Sequence, residues 1–391
     1  MNRVLPVIVI SQFFCTSLWF AGNAISGDIA KHMQLSTAYL AYLTIAVQAG
    51  FIVGTLLFAL SGIADRFPST RVFFFCAVLA AVVNLGIILP AINSVTLLGL
   101  RFVTGFFLAG IYPVGMKIAS DHYQQGLGKS LGFLVGALVL GTAFPHLLKS
   151  LTYNLPWQYV VMATSALSAL GGLGMVLFVP HGPYAKSLQK LAWNQAIKAF
   201  GHPEFKAAAC GYFGHMWELY AFWTFLPVIL TNWHKHHTNT DLNVPLLSFL
   251  IIGAGALASV ASGYLSQSLG AKRTATAALL LSCICCLVSP LLLSYSSFVG
   301  LVLFLGFWSI VVIADSPMFS TLIAQNAPPQ VKGSSLTLVN CVGFLITIMS
   351  IQLISTLHTD ANSNYIYLLL SVGPVLGLIA LFSKGTQMAK V

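Results

Sequence analysis

Apolar runs of about twenty residues recur along this chain, separated by short polar breaks. About twelve of them fall at roughly 5–25, 39–61, 72–92, 95–117, 129–149, 157–179, 206–230, 245–267, 274–294, 297–322, 334–357 and 364–382. About 20 apolar residues in a helix cross the hydrocarbon core of a bilayer. Each run is therefore predicted as a spanning helix, and the fold class as an all-α membrane protein. The longest polar break, 180–205, is basic and predicted to be partly helical. It divides the chain into an N-terminal six-helix bundle, 1–179, and a C-terminal one, 206–391.

Composition leaves little room for a soluble alternative. Hydrophobic residues make up 58% of the chain and charged residues 7%, more apolar surface than a water-soluble domain of this size can bury. Basic residues set the expected orientation. With the N-terminus in the cytoplasm, fourteen Lys and Arg fall on cytoplasmic segments: Arg3, Arg66, Arg71, Lys117, Lys129, Lys186, Lys190, Lys198, Lys206, Lys272, Arg273, Lys332, Lys384 and Lys390. Lys31, Lys149 and Lys235 fall opposite, and Arg101 lies inside a span. This asymmetry puts both termini inside and accounts for the net charge of +10 without a nucleic-acid partner. The first run resembles a signal peptide but lacks a cleavage site, so it is expected to remain as the first helix. The short loops suggest a bacterial inner membrane.

The two halves echo each other. SGIADRFPSTR (61–71) corresponds to GYLSQSLGAKR (263–273), and GIYPVGMKIA around Pro113 to ADSPMFSTLIA around Pro317, at offsets of 202 and 204 residues. Two echoes at nearly one offset argue for an internal repeat, and transporters commonly place their site between such repeats.

The same residues resemble the loop and fourth-span motifs of the major facilitator superfamily. The loop keeps Asp65, Arg66 and a late Arg71, with Ser61 and Pro68 at glycine positions. Its second copy keeps Gly263, Leu265, Gly270, Lys272 and Arg273. The fourth span matches through Arg101, Thr104, Gly105 and Ala109. The resemblance covers nearly the whole chain. It implies about twelve transmembrane helices in two pseudo-symmetric bundles that move by alternating access. It also implies a charged latch at Asp65, Arg66 and Arg71, the alternative being ordinary positive-inside loop charge. The fifth span, GALVLGTAFPHLL (136–148), lacks the glycine pair that follows proline in drug/proton antiporters of this family.

Candidate chemistry concentrates on ionisable residues at bilayer depth, where charge is costly and usually functional. The chain has only 8 Asp and Glu, yet Glu218 and Asp315 lie inside apolar runs. A carboxyl group held away from water can trade a proton as its surroundings change. His215, one helical turn from Glu218, is expected to share or relay that proton. Asp315 precedes Ser316-Pro317 and suits either a second protonation site or a cap on a proline-broken turn. Arg101 suits a bidentate grip on a substrate carboxylate, or charge balance for Glu218. Gln48, Tyr112 and Trp217 are the further substrate-binding candidates, since aromatic rings with a few polar groups suit an organic solute; Trp19, Asn23, Gln12, Tyr220, Phe222 and Trp223 read more simply as packing. The histidines of NWHKHHTNTD (232–241) lack organised metal spacing, and the seven cysteines read as packing residues.

The expectation is a secondary active transporter moving a small organic solute, an organic anion among the candidates, by proton-coupled symport across the lipid bilayer as a monomer. Proton-driven efflux of drugs or secreted metabolites is the alternative, and a ligand-sensing receptor on a transporter fold a minor one. No enzyme activity, cofactor or metal is expected, and no G-x-x-x-x-G-K-[ST] loop supports an ATP-driven pump.

Overall fold

The computed structural model describes residues 4–35, 39–90, 92–123, 127–152, 154–184, 193–237, 242–328 and 331–383. The described residues form helices and turns without strands. The N-terminal half comprises α1 (Val4–Thr16), α2 (Ala21–Ala24), α3 (Ser26–Met33), α4 (Tyr39–Ser61), α5 (Ile63–Arg66), α6 (Ser69–Leu85), α7 (Ser94–Leu108), α8 (Tyr112–His122), α9 (Leu127–Leu151) and α10 (Gln158–Phe178). After α11 (Trp193–Lys198) the C-terminal half comprises α12 (Pro203–His236), α13 (Val244–Leu269), α14 (Ala271–Tyr295), α15 (Phe298–Ala314), α16 (Ser316–Asn326), α17 (Lys332–Leu357) and α18 (Val372–Phe382).

Among the described residues, nine helical segments are long and apolar enough to cross a membrane unaided. Val4–Thr16 and Ile366–Phe382 are shorter apolar helices. The 34-residue α12 carries Glu204, Lys206, Glu218 and Lys235 along its length. These correspond to the twelve apolar runs, with local departures. The first run breaks after Thr16, where residues 17–20 form turns before α2. The last opens with a 3-10 stretch, Ile366–Ser371. The seventh helix starts at Pro203, inside the segment expected as linker, because proline suits a first helical turn and His202 ahead of it is extended. Residues 185–192 of that segment lie outside the described residues.

The repeat is visible in the backbone. The fourth span breaks between α7 and α8, and the tenth between α15 and α16. In each case the second piece opens on proline, Pro113 or Pro317. Helix packing is close where small residues permit it. A Cβ on Gly105 would lie 1.9 Å from the Val47 carbonyl oxygen, and one on Gly50 1.8 Å from that of Phe102, so α4 and α7 cross backbone to backbone. The halves meet chiefly along two helix pairs, α9 with α13 and α4 with α17, with smaller contacts of α9 with α16 and α4 with α12. The end carrying α5 and residues 193–202 is called the linker end below; the other is the far end, where Lys149 pairs with Asp28 at 2.8 Å.

Candidate functional site

Glu218, His215 and Asp315 are all fully buried in the C-terminal half. Glu218 sits mid-way along α12. Its Oε1 accepts from Trp308 Nε1 at 2.6 Å and its Oε2 from Ser282 Oγ at 2.9 Å. Those donors come from α15 and α14, so the carboxyl group points into the bundle and both oxygens are engaged. Trp308 is held by Phe222, its ring stacked at 4.5 Å.

His215 does not pair with Glu218. Its Nδ1 lies 2.7 Å from Asp315 Oδ1, although the two atoms are not aligned as a hydrogen bond and the imidazole Nε2 has no partner among the described residues. Asp315 is the single residue between α15 and α16, so the pair ties α12 to the break of the tenth span. Asp315 does not cap α16 with its side chain.

Arg101 is buried in the N-terminal half, where one terminal guanidinium nitrogen donates to the carbonyl oxygens of Leu18 at 3.1 Å and Trp19 at 2.6 Å. The other donates to Asn84 Oδ1 at 3.2 Å. These carbonyls belong to the unwound turn between α1 and α2, and such groups need protein donors when water is absent. Asn84 is itself held by Ser165 at 2.9 Å. Sequence reasoning missed Asn84, although a lone asparagine in an apolar run is a signal of the same kind as Arg101. It missed Ser282 and Trp308 too, and neither is distinctive in sequence.

The remaining candidates fall in different places. Gln48 is buried on α4, and neither its carboxamide oxygen nor its nitrogen has a partner among the described residues. Tyr112, at the start of α8, packs against the main core. Trp217 turns the other way: its indole donates to the Leu369 carbonyl oxygen at 3.0 Å and packs on Gly373. Tyr220 faces the partner half instead, stacked on Trp19 at 5.8 Å, and Trp223 meets Tyr220 edge-on at 5.5 Å. Arg66 and Arg71 are exposed at the linker end, while the side chain of Asp65 lies outside the described residues. Beside them Lys117 donates to Ser69 Oγ at 3.3 Å and pairs with Asp121 at 3.0 Å. Of the expected histidine tract, Asp241 and the His236 side chain lie outside the described residues, and no metal-holding group of three occurs among those described.

Two helical halves, each with a broken span and buried polar clusters, define a polytopic membrane transporter. Residues 7–351 match the family described as Major Facilitator Superfamily, and the chain belongs to that family. It is similar in fold to the nucleoside transporter NupG (14% identity, 97% of this chain and 99% of that one, TM-score 0.73). It is also similar to the human organic anion transporter MFSD10 (16%, 97% and 99%, 0.73). A third likeness is to a bacterial homologue of the human lysosomal transporter Spinster in an inward-facing, unoccupied conformation (14%, 97% and 95%, 0.70). At these identities the likeness concerns the fold alone. No curated protein matches the chain.

Proposed function

We propose that this transporter moves a small organic solute by proton-coupled symport, with the proton carried in the C-terminal half. The observation that carries this reading is the buried trio of Glu218, His215 and Asp315. Membrane proteins keep such groups at bilayer depth mainly where a proton, an ion or a substrate uses them. Asp315 joins α15 to α16, so a proton arriving there removes its charge and loosens its hold on His215. Glu218 is the proton reservoir behind it. Protonation and solute then shift the two halves only insofar as each binds the two states differently.

Arg101 is assigned to the first span, holding the unwound turn that faces the partner half. The anion preference that rested on it is correspondingly less supported. In this reading residues 1–179 and 206–391 rock about the intervening linker as a monomer. The linker end lies in the cytoplasm of a bacterial inner membrane, and Asp65, Arg66 and Arg71 latch that side.

The test is solute uptake into proteoliposomes under an imposed pH gradient. Glu218→Gln is expected to abolish gradient-driven accumulation while leaving downhill exchange. Unchanged accumulation in that variant removes Glu218 from the coupling path.

A further inference from the structure

The two halves touch through aromatic rings. Trp19 and Phe20 come from the broken first span, Phe51 from α4, Tyr220 from α12 with Trp223 beside it in the same half, and Phe344 from α17; all are buried. Trp19 stacks on Tyr220 at 5.8 Å with the planes 21° apart. Phe51 meets Phe344 at 4.7 Å, and Phe344 in turn meets Trp19 at 5.7 Å and Tyr220 at 5.4 Å. Every one of these contacts crosses the seam that alternating access must open, except Tyr220 with Phe344, which lies within one half.

Polar atoms along the same rings are left without partners. The indole nitrogens of Trp19 and Trp223, both ends of the Gln48 carboxamide and Asn23 Oδ1 are buried and have no hydrogen-bond partner among the described residues. Asn23 Nδ2 donates to Thr44 Oγ1 at 2.7 Å, one turn before Gln48, and Phe51 follows on the same helix. A buried polar group without a partner costs about 1–3 kcal/mol, and hydrocarbon offers no water to relieve it. Two ring donors with a carboxamide and a carbonyl acceptor, set around near-parallel faces, make a recognition surface in search of a ligand.

We infer that this seam is the solute site and that it takes an uncharged, planar, ring-bearing solute with both hydrogen-bond donors and acceptors. The inference rests on the transporter reading above and names its substrate class. Flatness follows from the Trp19–Tyr220 geometry. A ring inserted between them needs about 7–8 Å between centroids at ordinary contact distances of about 3.5–4.0 Å per face. The halves therefore have to part by only about 1–2 Å there, and the solute restores the stacking that opening removes. Neutrality follows from the lining. None of the residues named carries a charge, and the terminal nitrogens of Arg101 face Leu18, Trp19 carbonyl oxygen and Asn84.

The experiment is thermal unfolding of the purified full chain, followed with a cysteine-reactive dye that reports exposure of the buried thiols. Adenine, nicotinamide and indole-3-carboxamide are compared with glucose, benzoate and tetraphenylphosphonium. The neutral rings are expected to raise the unfolding temperature by mass action. Trp19→Ala and Tyr220→Ala should each weaken their apparent affinity roughly five- to a hundredfold. Trp19→Phe, which keeps a ring and guards against misfolding, should retain most of it, and Gln48→Leu should weaken binding without removing stacking. The inference is overturned if the rings give no shift at millimolar concentration. It is equally overturned if their shift survives both alanine variants, or if glucose, benzoate or the lipophilic cation stabilises instead. Glu218→Gln in the same assay and in the uptake assay separates the two readings: ring binding with coupled uptake unchanged in that variant sinks the proton-coupling reading alone, and coupled uptake lost there with no ring binding by the parent sinks the seam inference alone.

Discussion

His215 and Asp315 meet 2.7 Å apart in a place that no solvent reaches, joining the seventh span to the one residue that links the two pieces of the tenth. A buried pair of this kind contributes little net stability, because desolvation offsets most of the attraction. Removing one member is another matter, since it strands the other.

Asp315→Asn and His215→Gln are therefore each expected to lower stability by about 3–5 kcal/mol. The double variant should be less destabilised than the sum of the two. A double-mutant cycle on unfolding temperature in one detergent measures that coupling. Additive effects would mean the two side chains act separately despite their proximity. The single variants should also lose pH-driven accumulation, which a merely structural pair would leave in the folded fraction.

Arg101 serves three acceptors at once, and that geometry sets a second expectation. A lysine keeps the charge but not the planar fork, so Arg101→Lys leaves at least one carbonyl of the first-span turn unsatisfied. The cost should be about 1–3 kcal/mol, read as a fall in unfolding temperature. Asn84→Leu should fall in the same direction, because it frees one guanidinium nitrogen and Ser165 together. A fully stable Arg101→Lys protein would show that charge alone holds the turn.

Gly105 and Gly99 lie on the same helix and should respond oppositely to alanine. At Gly105 a Cβ meets the Val47 carbonyl oxygen at 1.9 Å, while at Gly99 it meets nothing within 4 Å. Overpacking at the first site should cost about 1–3 kcal/mol or prevent folding. Replacing glycine in a helix interior at the second should gain about 0.5–1 kcal/mol. Yield and unfolding temperature of the two variants, side by side, decide it.

The twelve spans, the internal repeat and the depth of the charged residues were legible because membrane burial writes long apolar runs in which any polar residue stands out. Glu218, Asp315, His215 and Arg101 were found that way. Their partners were not, because pairing depends on how helices rotate against each other. His215 turned out to face Asp315, one hundred positions on, and not Glu218 one turn away. Trp217 and Tyr220 are indistinguishable by composition, yet one docks on the last span and the other on the opposite half. Phe51 and Phe344 carried no signal at all, since phenylalanine is common in every span and only the meeting of the halves singles these two out.

Orientation rests on charge counting and has a direct check. Lys198 at the linker end and Asp360 at the far end are both exposed, and six of the seven native cysteines are buried. With an impermeant maleimide on intact cells, Asp360→Cys should label and Lys198→Cys should label only after permeabilisation. The opposite pattern reverses the assignment of inside and outside.

His358 supplies the pH dependence at the far end. It follows the last residue of α17, outside the span, with its Nε2 3.4 Å from Asn232 Nδ2 on α12 and its ring 6.5 Å from Tyr367. Partial burial holds its pKa below the usual histidine value; Asp360 pulls it back up and Lys235 pushes it down. The folded protein thus prefers neutral imidazole, which accepts from the Asn232 amide. Below the unfolded value of about 6.5 the unfolded chain binds the proton first, so stability falls as pH drops through that value and is flat above it. The ring is only partly shielded, so the effect should be modest. Between about pH 7.5 and about pH 5.5 the fall in unfolding temperature should be smaller in His358→Gln than in the parent. An equal fall in both proteins would assign the acid sensitivity to other groups, and a larger fall in the variant would mean that protonated His358 stabilises the fold through Asp360.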